Sequence, residues 1–320
     1  MVMPLKIGIL SFTAVRHRAN FEDLMLKHAA KELGHSVRVY LTKHFQFTFD
    51  TSELSLTYKN TAFVPPDVMI VRPSILSDID VQLSIVKQLQ LMGVPVVNHY
   101  LPIVRAKNKI RTMQILSHEG IPIPKTVVVN NIEYLDRAIE QLGSFPLIMK
   151  LALGSFGAGV SILESRRSLR SMLDLVIASS SQRNHHILIQ EYVKEAKGKD
   201  IRVFIVGGEI VAAMERKAKR GEFRSNFHQG GSVALADLTE EEKRISLKAV
   251  DVIGLQVAGV DLIRTASGPK ILEVNSNPGL EGITSATNIN VSAEIVHFAE
   301  EVVRRKRLRR KEKLSVATAA

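Results

Sequence analysis

The sequence predicts an α/β protein built from two successive parts, a parallel α/β domain and then a domain of largely antiparallel sheet. Short apolar, β-rich runs alternate with amphipathic segments through the first hundred residues, and this order is typical of βαβ units around a parallel sheet. Later β-rich runs follow one another with few helices between them, which favours antiparallel pairing. Two apolar runs around a short turn near residue 267 complete the pattern as a β-hairpin.

The first part is expected to contain four strands and two helices. The strands are KIGIL, VRVYL, DVMIVRP and VPVVN, and the helices are NFEDLMLKHAAKELG and DIDVQLSIVKQLQLMG. No GxGxxG motif follows the first strand, which argues against a dinucleotide cofactor there. We therefore expect residues 1–100 to form an α/β domain that helps to hold a substrate.

The second part is expected to span residues 101–303. A helix at 102–118 leads into Gly120 and two prolines, which end it before a strand. The next strand candidates are FPLIMKLAL, GVSILE, HILIQEYV and DIRVFIVGGEIVAAMERK, and two further helices are expected near 166–178 and 239–254. Together with the closing hairpin, these runs predict a largely antiparallel sheet.

Composition is that of an ordinary globular protein. The chain has 320 residues, of which 45% are hydrophobic and 23% charged, and it contains no cysteine. This excludes extensive disorder, a disulfide framework, a thiolate nucleophile and a cysteine zinc site. No apolar run approaches the length of a membrane span, and the N-terminus lacks the apolar region of a signal peptide. We expect a cytoplasmic protein with no membrane partner.

The positive charge is concentrated at the C-terminus. The net charge is +11, and the run RRKRLRRKEK at 304–313 holds eight basic residues and one acid, hence +7. We expect residues 304–320 to form a basic, flexible tail. Two interpretations stay open: the tail docks on RNA, the ribosome or an acidic protein, or it is a solvated helix end that fades into disorder.

The predicted hairpin near the C-terminus carries three oxygen-bearing side chains. The runs AGVDLIR and KILEVNS flank the turn TASGP, and centring the loop on Ser267 pairs Asp261 with Glu273. Side chains alternate along a strand, so Asn275 shares the face of Glu273. Like charges directly opposite each other are destabilising unless a cation lies between them, and carboxylate and amide oxygens are ligands that Mg²⁺ takes together with substrate phosphates. The alternative is a solvated face whose acids lie apart because the register is shifted by one residue.

A lysine and a glycine-rich loop follow one of the apolar strands. Lys150 ends FPLIMK, and the loop GSFGAG, with Gly154, Gly157 and Gly159, comes next. Glycines let backbone N–H groups approach phosphate oxygens, and a lysine supplies a point charge. Alone this pattern fits a plain hairpin turn; beside the acidic hairpin it favours ATP.

Two further segments offer nucleotide and substrate contacts. The strand HILIQEYV could pair its backbone edge with an adenine through Gln190, Glu191, Tyr192 and Val193, although a core strand fits the spacing better. Asp200 and Arg202 share a face of the next strand, where they could contact a ribose and an anionic group, or form a surface salt bridge with each other.

The segment ERKAKRGEFRSNFHQGG is polar and glycine-rich, so it is interpreted as an active-site loop. Arg216, Arg224, Ser225 and Asn226 offer donors to an anionic intermediate, since arginine suits bidentate recognition of carboxylate or phosphoryl groups. The loop histidine His228 is interpreted as incidental.

Taken together, these motifs resemble the ATP-grasp superfamily, and within it the RimK family. The motifs are Lys109 in RAKNKIRTMQIL, GIPIPKT, the lysine with its glycine loop, QEYVKEAKGKDIR, FRSNFHQGG and D…EVNSNPGLEGI, in this order. The resemblance covers residues 95–295 and implies a Rossmann-like pre-ATP-grasp domain followed by an ATP-grasp domain. It fits the first hundred residues less well.

The resemblance also implies roles for individual residues. It makes Lys109 and Lys150 phosphate ligands, Glu191 to Val193 the adenine edge, Asp200 a nucleotide ligand, and Arg224, Ser225 and Asn226 neighbours of the phosphates. Asp261, Glu273 and Asn275 would hold two Mg²⁺ or Mn²⁺ ions, with Glu273 bridging them. Arg202, Arg216 and Arg224 would offset the charge of the transition state.

The implied reaction joins a carboxylate to an amine at the expense of ATP, through an acyl phosphate. In RimK-like enzymes L-glutamate is added to the C-terminal glutamate of a small-subunit ribosomal protein. Another acceptor, such as a cofactor, an amino-group carrier protein or a small peptide, would use the same chemistry. A non-catalytic nucleotide-binding module that docks on RNA is the alternative of another class. We also expect a homo-oligomer.

Overall fold

The first part of the chain is a parallel α/β unit, as predicted. The computed structural model describes residues 3–12, 20–51, 54–74, 79–129, 131–151, 160–178, 187–196, 198–219 and 231–319. The elements of the first part are β1 (Lys6–Ser11), α1 (Phe21–Glu32), β2 (Ser36–Leu41), β3 (Phe45–Phe49), β4 (Leu54–Tyr58), β5 (Thr61–Ala62), β6 (Val68–Arg72), α2 (Ile79–Leu91) and β7 (Val96–Val97). Strands β2, β1, β6 and β7 form a parallel sheet in that order.

This strand order places a crevice at one edge of the sheet. The chain leaves β1 toward β2 on one side and reaches β6 on the other, so the carboxyl ends of β1 and β6 adjoin a topological switch point, where ligands of open α/β sheets bind. Ser11 pairs with Arg72 at those ends. Of these two, Arg72 reaches the second part, where its Nη1 donates to the Pro278 carbonyl at 3.2 Å, whereas the Ser11 side chain hydrogen-bonds Asp23 of α1.

A small antiparallel sheet, β3-β4-β5, was not predicted. Its aromatic side chains pack beside the parallel sheet: the ring centroids of Phe45 and Tyr58 lie 4.9 Å apart, and those of Tyr40 and Phe63 lie 5.3 Å apart. The alternation in FQFTF was the available signal, because alternate residues of a strand share one face.

The predicted helix at 102–118 is two helices. They are α3 (Tyr100–Lys107) and α4 (Lys109–His118). Asn108 interrupts the helical backbone with φ −109° and ψ 110°, and its Oδ1 accepts from the N–H groups of Ile110 and Arg111 at 3.0 and 3.2 Å. An asparagine that caps a helix in this way replaces the missing intrahelical acceptor. The break places Lys107 and Lys109 on either side of a bend.

The second part contains two antiparallel sheets. Its further elements are β8 (Thr126–Val129), α5 (Leu135–Leu142), β9 (Leu147–Leu151), β10 (Val160–Leu163), α6 (Arg166–Ala178), β11 (Ile187–Glu191), β12 (Lys199–Val206), β13 (Glu209–Lys217), β14 (Ser232–Leu235), α7 (Glu240–Ile253), β15 (Val257–Thr265), β16 (Gly268–Asn275), α8 (Glu281–Thr287) and α9 (Val291–Ala319). The strand orders are β10-β9-β11-β8 and β14-β13-β12-β15-β16. The predicted fold class and the helices near 166–178 and 239–254 are confirmed.

The closing hairpin has the predicted acid pair but a different turn. Thr265 pairs with Gly268, so the loop holds two residues rather than five, and Arg264 faces Pro269 instead of Lys270. The register then shifts between Asp261 and Leu262, so that Asp261 pairs with Glu273. A β-bulge opposes two residues to one and redirects the side chains beyond it. Without this bulge at Leu272, Asp261 would face an apolar residue.

The C-terminal helix corrects the expectation of a flexible tail after residue 303. Helix α9 runs without interruption from Val291 to Ala319. Its first turns pack on the N-terminal part, where Ile295 and Ala299 join the core that contains Ile7. Glu300 accepts from His35 Nε2 at 2.7 Å, and Arg307 pairs with Asp67 at 3.1 Å. The basic segment is therefore a helix that is attached at its base.

None of the helices in the described ranges is long and apolar enough to cross a bilayer. Although α9 has 29 residues, charged side chains fill most of its stretch from Arg304 to Lys313.

Candidate active site

A cavity of about 250 Å³ lies between the two antiparallel sheets. It is lined by the carboxyl ends of β9 and β11, by one face of β12, β13, β15 and β16, and by residues that follow β6. Most of the side chains singled out in the sequence line it; those in the described ranges are Lys109, Lys150, Gln190, Glu191, Tyr192, Val193, Asp200, Arg202, Arg216, Asp261, Glu273 and Asn275. The fold therefore brings separate motifs to one cleft.

The floor of the cleft is a row of charges across the five-stranded sheet. Asp200 of β12 faces Arg216 of β13, Arg202 of β12 faces Asp261 of β15, and Asp261 faces Glu273 of β16. Because the strands are adjacent and these positions share a face, five charged side chains from four strands form one line.

Ion pairs join most of this row. Arg202 binds both oxygens of Asp261 through Nε and Nη2, at 2.7 Å each. Arg216 binds both oxygens of Asp200 at 2.6 and 2.8 Å, and its Nη2 also reaches Asp261 at 2.8 Å. Asp200 and Arg202 therefore pair with neighbouring strands, and the surface salt bridge between them that the sequence left open does not form.

The arginines hold Asp261 in its ionised form. Burial by itself raises the pKa of this carboxyl, but Arg202 and Arg216 outweigh burial and lower the pKa to about 2. For Arg216, burial favours the neutral form, yet Asp261 and Asp200 raise its pKa above the ordinary arginine value. The charges therefore persist at neutral pH although the groups are buried.

These pairs correct the argument that the facing acids need a metal between them. The cations that offset Asp261 are arginines, and Lys109 Nζ lies 3.2 Å from Glu273 Oε1. The repulsion that suggested a metal is thus already compensated by the protein. No cluster of three or more His, Cys, Asp or Glu side chains suited to a metal occurs in the described parts of the chain.

The oxygen donors nevertheless suit magnesium. Glu273 keeps a third of its side chain exposed, at 33%. Asn275 turns its amide nitrogen toward Asp261 Oδ2 at 3.5 Å, which directs its carbonyl oxygen away from that carboxylate. Carboxylate and amide oxygens are the hard ligands that Mg²⁺ accepts, and Mg²⁺ commonly takes only one or two carboxylates from a protein. The donor set fits the ion, and the assignment of ligands stays a prediction.

Lysines contribute positive charge to the cleft, and four of them in the described ranges line it: Lys107, Lys109, Lys150 and Lys199. Lys150 donates to Gln190 Oε1 at 2.7 Å, and Gln190 in turn donates to Thr126 at 2.8 Å. Burial lowers the pKa of Lys150 to about 8, and burial has the same effect on Lys107. Lys107 was missed in the sequence, where its only signal is the spacing of basic residues around Asn108 in RAKNK.

The side of the cleft away from the charged floor is apolar and lies beside the segment that follows β11. Strand β11 is paired on both sides, with β9 and β8, and the Glu191 N–H donates to the Lys125 carbonyl at 2.9 Å. Tyr192 and Val193 follow the strand and line the cavity. Aliphatic side chains line the same cavity, namely Ile148, Val160, Ile263 and Leu272. These apolar walls suit a flat heterocycle, and the chain that follows β11, at Tyr192 and Val193, offers a backbone edge that the paired strand does not.

One side chain of the predicted adenine-edge segment also forms hydrogen bonds within the sheet, and its nucleotide role stays a prediction. Gln190 is 3% exposed, and its amide bridges Lys150 and Thr126 inside the sheet. Glu191 forms an ion pair with Lys270 of β16, another cleft-side lysine that the sequence analysis did not single out. These contacts join the four-stranded sheet to the hairpin.

Several predicted site residues lie outside the described ranges. They are Gly154, Gly157 and Gly159 of the glycine-rich loop, and Arg224, Ser225 and Asn226 of the polar loop, together with His228. Their roles stay predictions.

An α/β unit followed by two antiparallel sheets with a charged cleft between them defines the ATP-grasp class. The fold is shared with the ATP-grasp ligase PsnB complexed with minimal precursor, Mg and ADP (TM-score 0.70, 15% identity, 93% of this chain and 98% of that chain). It is also shared with D-alanine--D-alanine ligase from Bacillus anthracis complexed with ATP (TM-score 0.66, 19% identity, 96% and 99%). At these identities the likeness concerns the fold alone.

Sequence comparison identifies the family. Residues 106–299 match the RimK-like ATP-grasp domain, and residues 5–103 match the RimK pre-ATP-grasp domain. The chain therefore belongs to the RimK-like ATP-grasp family, as its motifs predicted. It is 36% identical over 304 residues to a probable alpha-L-glutamate ligase from Aliivibrio fischeri, covering 95% of this chain and 98% of the relative. It is 38% identical over 297 residues to the ribosomal protein bS6--L-glutamate ligase from Escherichia fergusonii, covering 92% and 96%.

Proposed function

We propose that this protein is an ATP- and magnesium-dependent carboxylate-amine ligase that adds L-glutamate to the C-terminal glutamate of a ribosomal protein. The observation that carries the proposal is the cleft itself. In one cavity it combines an apolar slot, cationic side chains for phosphates and the facing pair Asp261 and Glu273. A module that only bound a nucleotide would not require this row of buried, ionised groups.

The nucleotide would lie along the cleft. Its base would occupy the slot beside Tyr192 and Val193, with the ribose near Asp200 and the phosphates near Lys109 and Lys150. The glycines of 154–159 and the segment 224–226 would complete the phosphate contacts. Two Mg²⁺ ions, or Mn²⁺, would be held by Asp261, Glu273 and Asn275, and would supply charge that draws together the carboxylate and the triphosphate.

The proposed reaction has two steps. A carboxylate oxygen of the acceptor attacks the γ-phosphorus of ATP, the bond to the bridging oxygen breaks, and ADP leaves. The amine nitrogen of glutamate then attacks the carbonyl carbon of the acyl phosphate, inorganic phosphate leaves with the former carboxylate oxygen, and the nitrogen loses a proton. Arg202 and Arg216, which are fixed by their carboxylate partners, and Arg224 would offset the negative charge of the attacking group.

The acceptor is the part of the proposal that depends most on the relatives. One relative is called a ribosomal protein bS6--L-glutamate ligase, and the chain spans 96% of its length. Solved structures of the same fold include a complex of PsnB with a precursor peptide. These names support glutamate and a protein or peptide acceptor, which for a ribosomal protein would place the reaction in the cytoplasm. A homo-oligomeric state stays a prediction.

The experiment incubates the protein with ATP, Mg²⁺ and L-glutamate, with and without ribosomal protein bS6. ADP release and the intact mass of bS6 are measured together. We expect ADP release that depends on bS6, and a gain of glutamyl residues at its C-terminus. ADP release without a change in the mass of bS6 would show that the protein acts on another acceptor. No ADP release with any acceptor would contradict the proposed ligase function.

We propose, as a second activity, that the basic half of α9 docks on RNA. Arg309, Arg310 and Lys311 are exposed and make no hydrogen bond or ion pair with another residue of the described chain. A helix that presents several exposed cations can neutralise backbone phosphates. The helical structure favours this interpretation over a disordered tail, since the charges have fixed relative positions.

A further inference from the structure

The cleft has one end that the nucleotide and metal assignments leave unused. It lies where the N-terminal part meets the turn after β16, and Pro73, Ser74, Asn277 and Gly279 line it. Lys107 faces the same cavity from the end of α3. This end adjoins the carboxyl edge of β6, where the strand order of the parallel sheet places a ligand crevice.

Lys107 is a cation without a partner among the residues that the structure describes. Lys109 pairs with Glu273 and Lys150 with Gln190, whereas Lys107 makes no hydrogen bond or ion pair within the described ranges. The neighbouring cations Lys109 and Arg72 already have carboxylate partners, in Glu273 and Glu22. Arg72 is the last residue of β6, which places Lys107 toward the N-terminal part. Lys107 is therefore the cation left to bind an anionic ligand at this end of the cleft.

Asn277 supplies the complementary feature. Its Oδ1 is buried and accepts no hydrogen bond from the described residues. A buried acceptor that lacks a donor is destabilising, so its presence in a cavity wall calls for a ligand that carries an N–H group. A phosphate oxygen has no hydrogen to donate and would be repelled by this carbonyl oxygen.

The turn that carries Asn277 is held from the N-terminal part. Arg72 Nη1 donates to the Pro278 carbonyl at 3.2 Å, and the Leu280 N–H donates to Glu22 Oε1 at 2.7 Å. Arg72 and Glu22 are themselves paired at 2.8 Å. These contacts fix the acceptor relative to β6, and therefore relative to the end of the cleft that Lys107 faces.

We infer that this end of the cleft is the binding site for the amino-acid substrate, with Lys107 holding its α-carboxylate and Asn277 Oδ1 accepting a hydrogen bond from its amine. The inference rests on the proposed ligase function, because it assigns the second substrate of that reaction. A cation beside a neutral acceptor matches the two groups that every α-amino acid carries on one carbon. ATP does not combine an anion with an N–H donor in this way. The C-terminal residue of the acceptor does carry a carboxylate and an amide N–H on one carbon, and binding of free L-glutamate distinguishes the two.

The test measures binding of L-glutamate and of the ATP analogue AMPPNP separately, by calorimetry in the presence of Mg²⁺. For Lys107→Met we expect a loss of glutamate affinity of about tenfold or more, as for a charge-assisted hydrogen bond, while AMPPNP affinity stays within about twofold. Lys107→Arg should restore most of the glutamate affinity. Lys87→Met, which removes an exposed lysine of α2, is the matched control and should change neither affinity.

Two further comparisons assign the groups. γ-Aminobutyrate lacks the α-carboxylate, so it should bind the wild type weakly and lose nothing more in Lys107→Met. Asn277→Leu should weaken glutamate binding, whereas Asn277→Asp, which keeps an acceptor oxygen, should retain more of it. Thermal melting of each variant shows that it is folded.

The outcomes separate the inference from the function on which it rests. Failure of the wild type to bind AMPPNP would contradict the proposed ligase. Binding of AMPPNP without glutamate, or unchanged glutamate affinity in Lys107→Met and Asn277→Leu, would overturn the amino-acid site alone. An equal loss of AMPPNP and glutamate affinity would make Lys107 a phosphate ligand and would also overturn the site.

Discussion

At the scale of single residues, Glu273 has the widest electrostatic influence in the cleft. It pairs with Lys109 at 3.2 Å, and its charge raises the pKa of both Lys107 and Lys150 against the effect of burial. It is also the residue that the family resemblance places between two metals. Loss of this one carboxylate should therefore affect nucleotide chemistry more than folding.

Replacement of Glu273 by Ala should reduce ADP release by about a hundredfold or more, because the phosphoryl transfer loses a metal ligand. Turnover is measured by ADP release with saturating substrates, and folding by thermal melting followed by circular dichroism. Glu209→Ala, at the exposed turn between β12 and β13, is the control. Turnover close to that of the wild type in Glu273→Ala would refute the metal assignment.

Lys150 gives the cleft a pH dependence. Its pKa is lowered to about 8, chiefly by burial, so the side chain is charged at pH 7 and largely neutral at pH 9. A phosphate ligand must be charged, and AMPPNP affinity should fall by about tenfold across this range. The free energy of unfolding should change with pH in the opposite direction. Lys150 holds its proton more tightly in the unfolded chain, so the ligand-free protein should gain stability as pH rises above 8.

Lys150→Arg is the matched variant for this prediction. Arginine keeps its charge throughout the range, so the decline between pH 7 and pH 9 should disappear if Lys150 causes it. Calorimetric titrations at several pH values measure the effect. The same decline in the arginine variant would assign the pH dependence to another group.

At the scale of secondary-structure elements, Asn98 ties the N-terminal part to the closing hairpin. It follows β7 and is 1% exposed. Its Nδ2 donates to the carbonyls of Val257 and Ser276 at 2.7 and 3.1 Å, and its Oδ1 accepts from the N–H groups of Gln256 and Val257 at 2.6 and 2.8 Å. The start of β15 and the residue after β16 are thus both hydrogen-bonded to the side-chain amide of Asn98.

Asn98→Ala should lower the free energy of unfolding by about 3 kcal/mol, because several buried backbone groups lose their partners. Urea denaturation measures the change. Gln46→Ala removes an amide that is exposed on β3, and it should alter stability by less than about 0.5 kcal/mol. Similar small changes in both variants would show that the four hydrogen bonds contribute little.

The hairpin shows how far the sequence determines an element. Apolar alternation predicted the two strands, their antiparallel pairing and the facing pair Asp261 and Glu273. It predicted neither the two-residue turn nor the bulge at Leu272. The facing pair was still predicted correctly because these two errors cancel: the turn is shorter than expected, and the bulge shifts the register by one residue. A bulge depends on the contacts of the whole sheet, which hydrophobic alternation does not report.

The lysines of the cleft show the same limit. Lys109 and Lys150 could be predicted because they stand in motifs, whereas Lys107 could not, because its position depends on the helix break at Asn108. Spacing within one helix would have placed Lys107 and Lys109 about 200° apart around its axis. The capped break allows both to line one cavity.

At the scale of the whole molecule, α9 joins the C-terminus to the N-terminal part. The predicted division into 1–100, 101–303 and 304–320 stays a proposal, and α9 crosses its last boundary. Lys306 donates to the Gly93 carbonyl, and Arg307 pairs with Asp67. Deletion after Val303 would therefore remove contacts with the body of the protein as well as exposed charge.

A cleaner test of RNA docking replaces Arg309, Arg310 and Lys311 by Gln and leaves those contacts in place. Ribosome or RNA binding should weaken, and the slope of log affinity against log salt should become shallower by about 2 to 3, as expected for three phosphate contacts. The control removes three exposed lysines elsewhere: Lys6, Lys31 and Lys87. An unchanged salt dependence in the α9 variant would favour a merely solvated helix.

The central claim, that a carboxylate is activated by phosphorylation in this cleft, is tested most directly by following oxygen. Ribosomal protein bS6 labelled with ¹⁸O in its C-terminal carboxylate is incubated with the protein, ATP, Mg²⁺ and L-glutamate, and the released phosphate is analysed by mass spectrometry. We predict one labelled oxygen in the phosphate released with the first glutamate added to each bS6 chain, and none with later additions, which start from an unlabelled carboxylate. Glutamate addition that leaves phosphate unlabelled would contradict the acyl-phosphate route.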